Sequence, residues 1–343
     1  MLNNLINRHD ADRLVRKVRR LELEPVLAKF RVRGGARVVA HWSEVEPSMT
    51  QWWAIPAVIR RWNLLMTGDP DTTYPEYVAA RHFAPRTDLR GLSLGCGTGG
   101  NELNWARTGA FALLEGVDVA PERIGFATAT AAEQGLGDVL RFRVADVEQM
   151  QHDGERFDVL LGLQSLHHFD RLTETLPKLS WLLEPDGMFV VDEFVGPTRF
   201  QWTDRQLEAA NELLRLLPEE RRRQPDGRVK HRVVRPSRMS MVLDDPSEAV
   251  DAASLLPGLR QGFEVVEERP YGGTVLHIAL SGIAHNFLDP DPETLALLDR
   301  CFAAEDEALP EIGHDFVALV CRPRAANRAA TRAATPTAVR SDS

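Results

Sequence analysis

The sequence predicts an α/β protein built on a mostly parallel sheet with helices on both faces. Three observations carry this. From residue 89 onward, short apolar runs alternate with segments of helical periodicity. A glycine-rich turn follows the first run directly, and an aspartate stands at or just past the end of each of the next two runs.

The runs are 91–94 (GLSL), 114–119 (LEGVDV), 140–145 (LRFRVA), 157–163 (FDVLLGL), 187–193 (GMFVVDE), 263–268 (FEVVEE) and 315–322 (DFVALVCR), seven strands in all. Helices are expected near 100–108, 121–134 and 171–184, and consecutive crossovers should be right-handed. Only a short stretch separates the second insertion from the last run. The seventh strand should therefore lie antiparallel beside its predecessor. Two insertions interrupt the pattern, at about 194–262 and 272–313. In the first, Thr203 and Gln206 form a capping box ahead of Leu207, Ala210, Leu213, Leu214 and Leu217 at helical spacing, which reads as an inserted helical cap. Residues 247–255 read as a further helix, and RRRQPDGRVKHR (221–232) as an exposed basic loop.

Residues 1–88 read as an N-terminal helical subdomain. It begins with a basic amphipathic stretch around Leu14, Val15, Val18, Leu21 and Leu23 and continues through Trp42, Trp52, Trp53 and Trp62, which suit its core or an aromatic wall beside a ligand. The α/β core thus spans 89–321, and 322–343, rich in Ala, Arg and Thr without apolar periodicity, reads as a disordered tail.

Composition narrows the function. The 343 residues carry 41 Lys and Arg against 50 Asp and Glu, a net charge of −9. The basic excess sits at the two ends, so the body is strongly acidic, which argues against a broad nucleic-acid footprint. Cys96, Cys301 and Cys321 are too few and too scattered for a disulfide framework or a zinc cluster, which fits a reducing cytoplasm. No secretory signal and no membrane-spanning run is expected. A small-molecule partner is the expectation, with no nucleic acid and no membrane. The oligomeric state stays open, a homodimer among the options.

The chemistry centres on Gly91-Leu-Ser-Leu-Gly95-Cys-Gly97-Thr-Gly99-Gly100, a strand running through a glycine turn into a helix. Bare backbone can turn tightly there and approach a ligand, and the helix start offers free N–H groups. Gly95, Gly97 and Gly100 satisfy the dinucleotide pattern GxGxxG. Gly95, Gly97 and Gly99 satisfy GxGxG, which resembles the first motif of class I S-adenosylmethionine-dependent methyltransferases. Asp118 ends the second strand, where an acid accepts from ribose hydroxyls in either reading. Asp146 ends the third, where the methyltransferase resemblance implies a contact with the adenine amine. FDVLLGLQSLHHF and LLEPDGMFVVDE are similar to the family's fourth and fifth strands, with Gln164 near the methionine part of the cofactor. The resemblance implies a Rossmann-like sheet and S-adenosyl-L-methionine held by Ser93, Gly95, Cys96, Gly97, Gly99, Asp118, Val119, Asp146, Val147 and Gln164. Ser93 departs from it, since an acid usually stands two residues before the first glycine; its hydroxyl could bond local backbone or the cofactor's amino group. EFVGPTRFQWTDRQL, DPSEAV and YGGTVLHIALSGIAHNF resemble a bacterial branch of small-molecule methyltransferases associated with sugars.

Methyl transfer to an alcohol needs a base, and histidine titrates in the right range. His167 and His168 follow the fourth strand on the ligand edge, and Glu193 ends the fifth, where it could orient the base or hold a substrate hydroxyl. His277, His285 and Tyr271 are weaker candidates in or near the second insertion. Arg221, Arg222, Arg223, Arg228, Lys230 and Arg232 could grip a phosphate, such as that of a nucleotide-linked sugar. No metal site is expected: HExxH and Cys-pair spacings are absent, and adjacent histidines on a strand point to opposite faces. A nicotinamide oxidoreductase and a catalytically silent cofactor-binding scaffold remain as alternatives to a small-molecule O- or N-methyltransferase.

Overall fold

The computed structural model describes residues 50–150, 154–239, 241, 245 and 247–325. The basic stretch at 14–23, Trp42 and the tail beyond 325 lie outside the described residues.

Seven strands form one sheet: β1 (Leu89–Leu94), β2 (Phe111–Asp118), β3 (Leu140–Val144), β4 (Phe157–Leu163), β5 (Leu183–Phe194), β6 (Phe263–Gly272) and β7 (Phe316–Pro323). Their order is β3-β2-β1-β4-β5-β7-β6. The β1–β2, β1–β4, β2–β3 and β4–β5 pairs are parallel, and β7 runs antiparallel to both β5 and β6. The last strand thus lies antiparallel beside its predecessor, as expected, and also wedges between β5 and β6. It extends through Arg322 and Pro323, two residues that the tail was expected to claim.

Strands buried on both faces read as unbroken apolar runs, and β4 and β7 show this. Alternate residues along them feed two separate cores. Val159, Leu161, Leu163 and Val190 face one side, while Leu160, Phe189, Val191, Val317 and Leu319 face the other. On the first side pack the helices α1 (Pro56–Thr67) and α2 (Tyr74–Val78), and then α3 (Gly100–Arg107). The Tyr74 hydroxyl donates to the Leu319 carbonyl of β7 at 3.2 Å. The described part of the N-terminal segment therefore shares its core with the sheet.

Helix α4 (Pro121–Glu133) starts with proline at its first turn, where the missing N–H costs nothing. It is followed by α5 (Leu172–Leu179), α6 (Asp204–Leu216), α7 (Ala252–Gly262), α8 (Leu276–Leu280) and α9 (Pro292–Ile312). The Thr203 capping box is present: Gln206 N donates to Thr203 Oγ1 at 3.1 Å and Thr203 N to Gln206 Oε1 at 2.8 Å. With α8 and α9 packed against it, α6 forms a helical layer over the first core. The helix expected at 247–255 instead runs Ala252–Gly262, packs on α5 and β6, and serves as the crossover into β6 rather than part of the cap.

β1 is flanked by β2 on one side and β4 on the other, so the winding direction reverses there. In open α/β sheets the crevice beyond the carboxyl ends at such a reversal is where ligands bind.

Candidate active site

The glycine turn occupies that crevice. Gly95, Gly97 and Gly99 have φ of 71°, 55° and 80°, a left-handed conformation that side chains rarely adopt. At two of the three a side chain is also blocked: a Cβ on Gly95 would stand 2.9 Å from Ser165 Cβ, and one on Gly99 2.9 Å from both Ala127 and Phe142. At Gly97 the nearest atom is an Arg123 guanidinium nitrogen at 3.5 Å, so that stretch of backbone is covered only by a half-buried side chain. The turn is tied to β2, since Gly95 N and Cys96 N both donate to Val117 O at 2.8 and 2.9 Å.

Asp118 stands over the turn from the end of β2. Its carboxylate accepts from Gly97 N and from Ala120 N, each at 2.9 Å. One carboxylate therefore braces the glycine turn and the start of the next loop while remaining half-buried, together with Val119 beside it. Asp146, past the end of β3, caps the helical turn 147–149: Glu148 N donates to it at 3.0 Å and Gln149 Nε2 at 2.5 Å. Val147 is buried beneath this turn.

Ser93 is 1% exposed, and its hydroxyl donates to Glu102 Oε1 at 2.6 Å. The strand hydroxyl is thus paired with a buried acid from α3. Burial pushes the Glu102 carboxyl up to about 7, against the lowering effect of the Ser93 bond, and its second oxygen has no hydrogen-bond partner among the described residues. Burial first, and then the nearby Glu102 and Asp118 carboxylates, hold the Cys96 thiol protonated.

Across the crevice, Gln164 leaves β4 with φ 54°. Its amide donates to Asp192 Oδ1 at 3.0 Å and to the Tyr271 hydroxyl at 3.1 Å, and Tyr271 donates in turn to Asp192 at 2.5 Å. Burial raises the Asp192 carboxyl to about 6, with the Tyr271 and Gln164 bonds pulling the other way. Tyr271 is therefore a buried strut of this network.

The histidine pair does not lie on a strand. β4 ends at Leu163, and Leu166–His168 form a single 3-10 turn that brings the two rings to 4.2 Å, tilted by 41°. The expectation that neighbouring rings diverge fails because strand alternation no longer applies. Glu193, fully buried at the end of β5, accepts from Ser165 N and Leu166 N at 2.6 Å each and pairs with His167 Nδ1 at 2.7 Å. It orients the imidazole and is too deeply buried to hold a substrate hydroxyl. Burial disfavours the imidazolium, but Glu193, Glu248 and Asp245 outweigh it, so His167 titrates above its ordinary value. Its Nε2 points toward Glu248 Oε1, 3.9 Å away. His168 lies half-buried with Nδ1 3.4 Å from Ser247 Oγ.

Residues 92–191 match the family described as a methyltransferase domain. That stretch holds the glycine turn, Asp118, Asp146, Gln164 and the histidine pair. Its curated relatives include the ubiquinone biosynthesis O-methyltransferase of Parvibaculum lavamentivorans, 34% identical over 33% of this chain and 43% of the relative. They include sterol 4-C-methyltransferase strm-1 of Caenorhabditis elegans, 31% identical over 33% and 35%. The erythromycin 3''-O-methyltransferase of Saccharopolyspora erythraea is 25% identical over 30% and 34%. The chain spans about a third to a half of the length of these relatives. Among solved structures, the geranyl diphosphate C-methyltransferase from Streptomyces coelicolor aligns over 84% of this chain and 97% of its own, at 15% identity and a TM-score of 0.48.

Outside the methyltransferase motifs, several expectations are corrected. His277 is enclosed by aromatic rings, with centroids of Phe200, Trp202 and Phe194 at 5.3, 5.5 and 5.7 Å. Burial, reinforced by Lys230, lowers it to about 3, which makes it a neutral packing ring and not a base. His285 sits half-buried in the turn 284–287, where no contact to the site is seen among the described residues. Nor is the basic loop an open phosphate grip. Lys230 donates to the carbonyls of Ile278, Ala279 and Ser281 at the end of α8, and burial lowers it to about 8. Arg221 donates to Asn286 O at 2.6 Å, Arg223 pairs with Glu219, and Arg228 with Asp226. Arg222 is half-buried and Arg232 exposed.

Sequence reasoning missed Glu102, Asp192, Asp245 and Glu248. For Glu102 a signal existed: an acid in the first turn of the helix directly after a glycine turn whose strand lacks one. Glu248 lies in the quoted DPSEAV segment, but its sequence distance from the histidines hid the contact.

Proposed function

We propose that this protein is a methyltransferase that transfers the methyl group of S-adenosyl-L-methionine to an oxygen or nitrogen of a small molecule. A sugar, a nucleotide sugar or a specialised metabolite is the acceptor class proposed, with no nucleic acid, and the cytoplasm is its compartment. The observation that carries the reading is the placement of the buried Glu193–His167 pair on the same carboxyl edge of the sheet as the glycine turn and Asp118.

The residues fit the cofactor. Gly97 leaves its backbone open to close approach while Gly95 and Gly99 fit the turn against Ser165, Ala127 and Phe142, Asp118 is to accept from ribose hydroxyls, Asp146 and Val147 flank the adenine side, and Gln164 faces the methionine side. Bound S-adenosyl-L-methionine supplies a methyl group on a positively charged sulfur, open to in-line attack. The chain positions the reactants, which can contribute several kcal/mol, with ~7 the low end for well-oriented pairs. Glu193 holds Nδ1–H of His167 so that Nε2 is free to take the proton of an acceptor hydroxyl or ammonium. The Glu193 charge then stabilises the imidazolium, an arrangement worth roughly 10²–10⁴ in rate.

Calorimetric titration of the full chain with S-adenosylmethionine and with NAD tests the cofactor. Sulfonium binding without NAD binding is expected, and the reverse would end the reading in favour of an oxidoreductase. Sulfonium binding with no S-adenosylhomocysteine formed against sugars, phenols and amines would favour a silent scaffold.

A further inference from the structure

We infer that His167, His168 and Glu248 form a binding site for one divalent transition-metal ion. Each offers one ligand atom, and the three atoms lie within 4.8 Å of one another. The Glu248 oxygen is 3.9 Å from His167 Nε2. Ligands about 2.1 Å from a tetrahedral ion stand roughly 3.4 Å apart. The side chains therefore need to close by only about 0.5–1.5 Å, and neither His168 nor Glu248 is fully buried.

The surroundings are built to hold these atoms in place. Glu193 occupies His167 Nδ1 at 2.7 Å and is itself fixed by two backbone N–H groups, which directs the Nε2 lone pair at Glu248. A carboxylate behind a ligating imidazole is the usual support at protein metal sites, where it fixes ring orientation and raises ligand basicity. The segment bearing Glu248 is pinned on both sides. Val250 N donates to His167 O at 3.1 Å, and Arg199 donates through N to Ala249 O at 2.7 Å and through Nη1 to Glu248 O at 3.3 Å. Asp245, bonded to Ser247, adds a further carboxylate close to the cluster, against the opposing charge of Arg199.

Two imidazole nitrogens and one carboxylate oxygen favour zinc, cobalt, iron or nickel over magnesium and calcium, which prefer all-oxygen sites. Three protein ligands leave at least one position open, the pattern of a site that takes up an exchangeable ligand. The cluster lies on the edge where the acceptor is proposed to bind, so acceptor oxygens are the ligands it would take. This inference rests on the mutual geometry of these side chains; an ion on His167 Nε2 would take the lone pair that the proposed transfer uses as base, and would instead favour loss of the proton from a bound acceptor hydroxyl.

The test is titration of the full chain, without nucleoside cofactor, with Zn²⁺ and with Co²⁺, followed by calorimetry and by the visible absorption of cobalt. The expected result is one ion per chain, with no binding of Mg²⁺ at the same concentrations. Glu248→Gln and His168→Ala should each weaken binding at least tenfold, and Glu193→Gln by about 10- to 100-fold through loss of ring orientation. Glu248→Gln keeps the side chain's shape, so it reports on the ligand with the fold intact. Substoichiometric binding, or unchanged affinity in Glu248→Gln and His168→Ala, would overturn the site. Since no S-adenosyl ligand is present, neither result bears on cofactor binding, and failure of the sulfonium titration leaves the metal site standing.

Discussion

Replacing Asp118 separates its structural and cofactor roles. The carboxylate accepts two backbone N–H bonds, from Gly97 and Ala120, at 2.9 Å each. In the proposed complex it also receives the ribose hydroxyls. Asp118→Ala removes a charged acceptor from all of these. A hydrogen bond to a charged group is worth about 1.5–3 kcal/mol, which corresponds to a loss of roughly 10- to 150-fold in affinity for S-adenosylhomocysteine. Asp118→Asn keeps one carbonyl oxygen and can still accept from Gly97, so its loss should fall between native and Ala. Calorimetric titration gives the affinities, and circular dichroism checks that the glycine turn has not taken the sheet with it. If both variants bind within twofold of the native chain, Asp118 does not touch the ribose and the assignment is wrong.

Other outcomes follow from the same geometry. His167→Ala and Glu193→Gln should each lower turnover about 10²–10⁴-fold while leaving cofactor affinity within a few-fold, because the pair acts on the acceptor's proton; an equal loss in both quantities contradicts this. Glu102 has a carboxyl raised to about 7, above its unfolded value, so native stability should fall as pH rises from about 4.5 through 7. Glu102→Gln retains the oxygen that accepts from Ser93 and should flatten this dependence, matching or exceeding native stability at pH 8 in thermal melts; a pH slope identical to the native one counts against it. Glu267 is pulled the opposite way. Burial alone would raise it, but bonds from Tyr77, Arg269 and His82 bring it down to about 2. Its stabilising contribution is full above about pH 4.5 and vanishes as pH falls through 2. Glu267→Gln should cost at most about 3 kcal/mol at pH 7 and little at pH 2, measured by urea unfolding; equal costs at both values would refute the linkage.

Much of the fold was legible because its signals are local. Apolar runs such as FDVLLGL have few alternatives to a buried strand, and a glycine turn between strand and helix places the crevice without any tertiary knowledge. The acids at 118 and 146 were readable for the same reason. What escaped depended on contacts distant in sequence. The buried acid beneath the turn is Glu102 of the following helix, and Ser93 alone did not reveal its partner. The histidine rings meet because a 3-10 turn replaces the strand at Leu166, which periodicity in a three-residue stretch cannot reveal. Glu248 reaches His167 only through folding of the first insertion. The helix at 252–262 was misplaced because Pro257 lies inside it, where a boundary is the ordinary reading. The basic loop read as exposed because sequence shows charges without their partners, and here carbonyl groups at the end of α8 hold Lys230.

The central claim is tested most directly by a crystal structure of the full chain with S-adenosylhomocysteine. The account predicts the ribose hydroxyls on Asp118, the adenine beside Asp146, and the sulfur in the crevice facing His167. A nucleoside bound away from the glycine turn, or a sulfur directed away from His167, would contradict it.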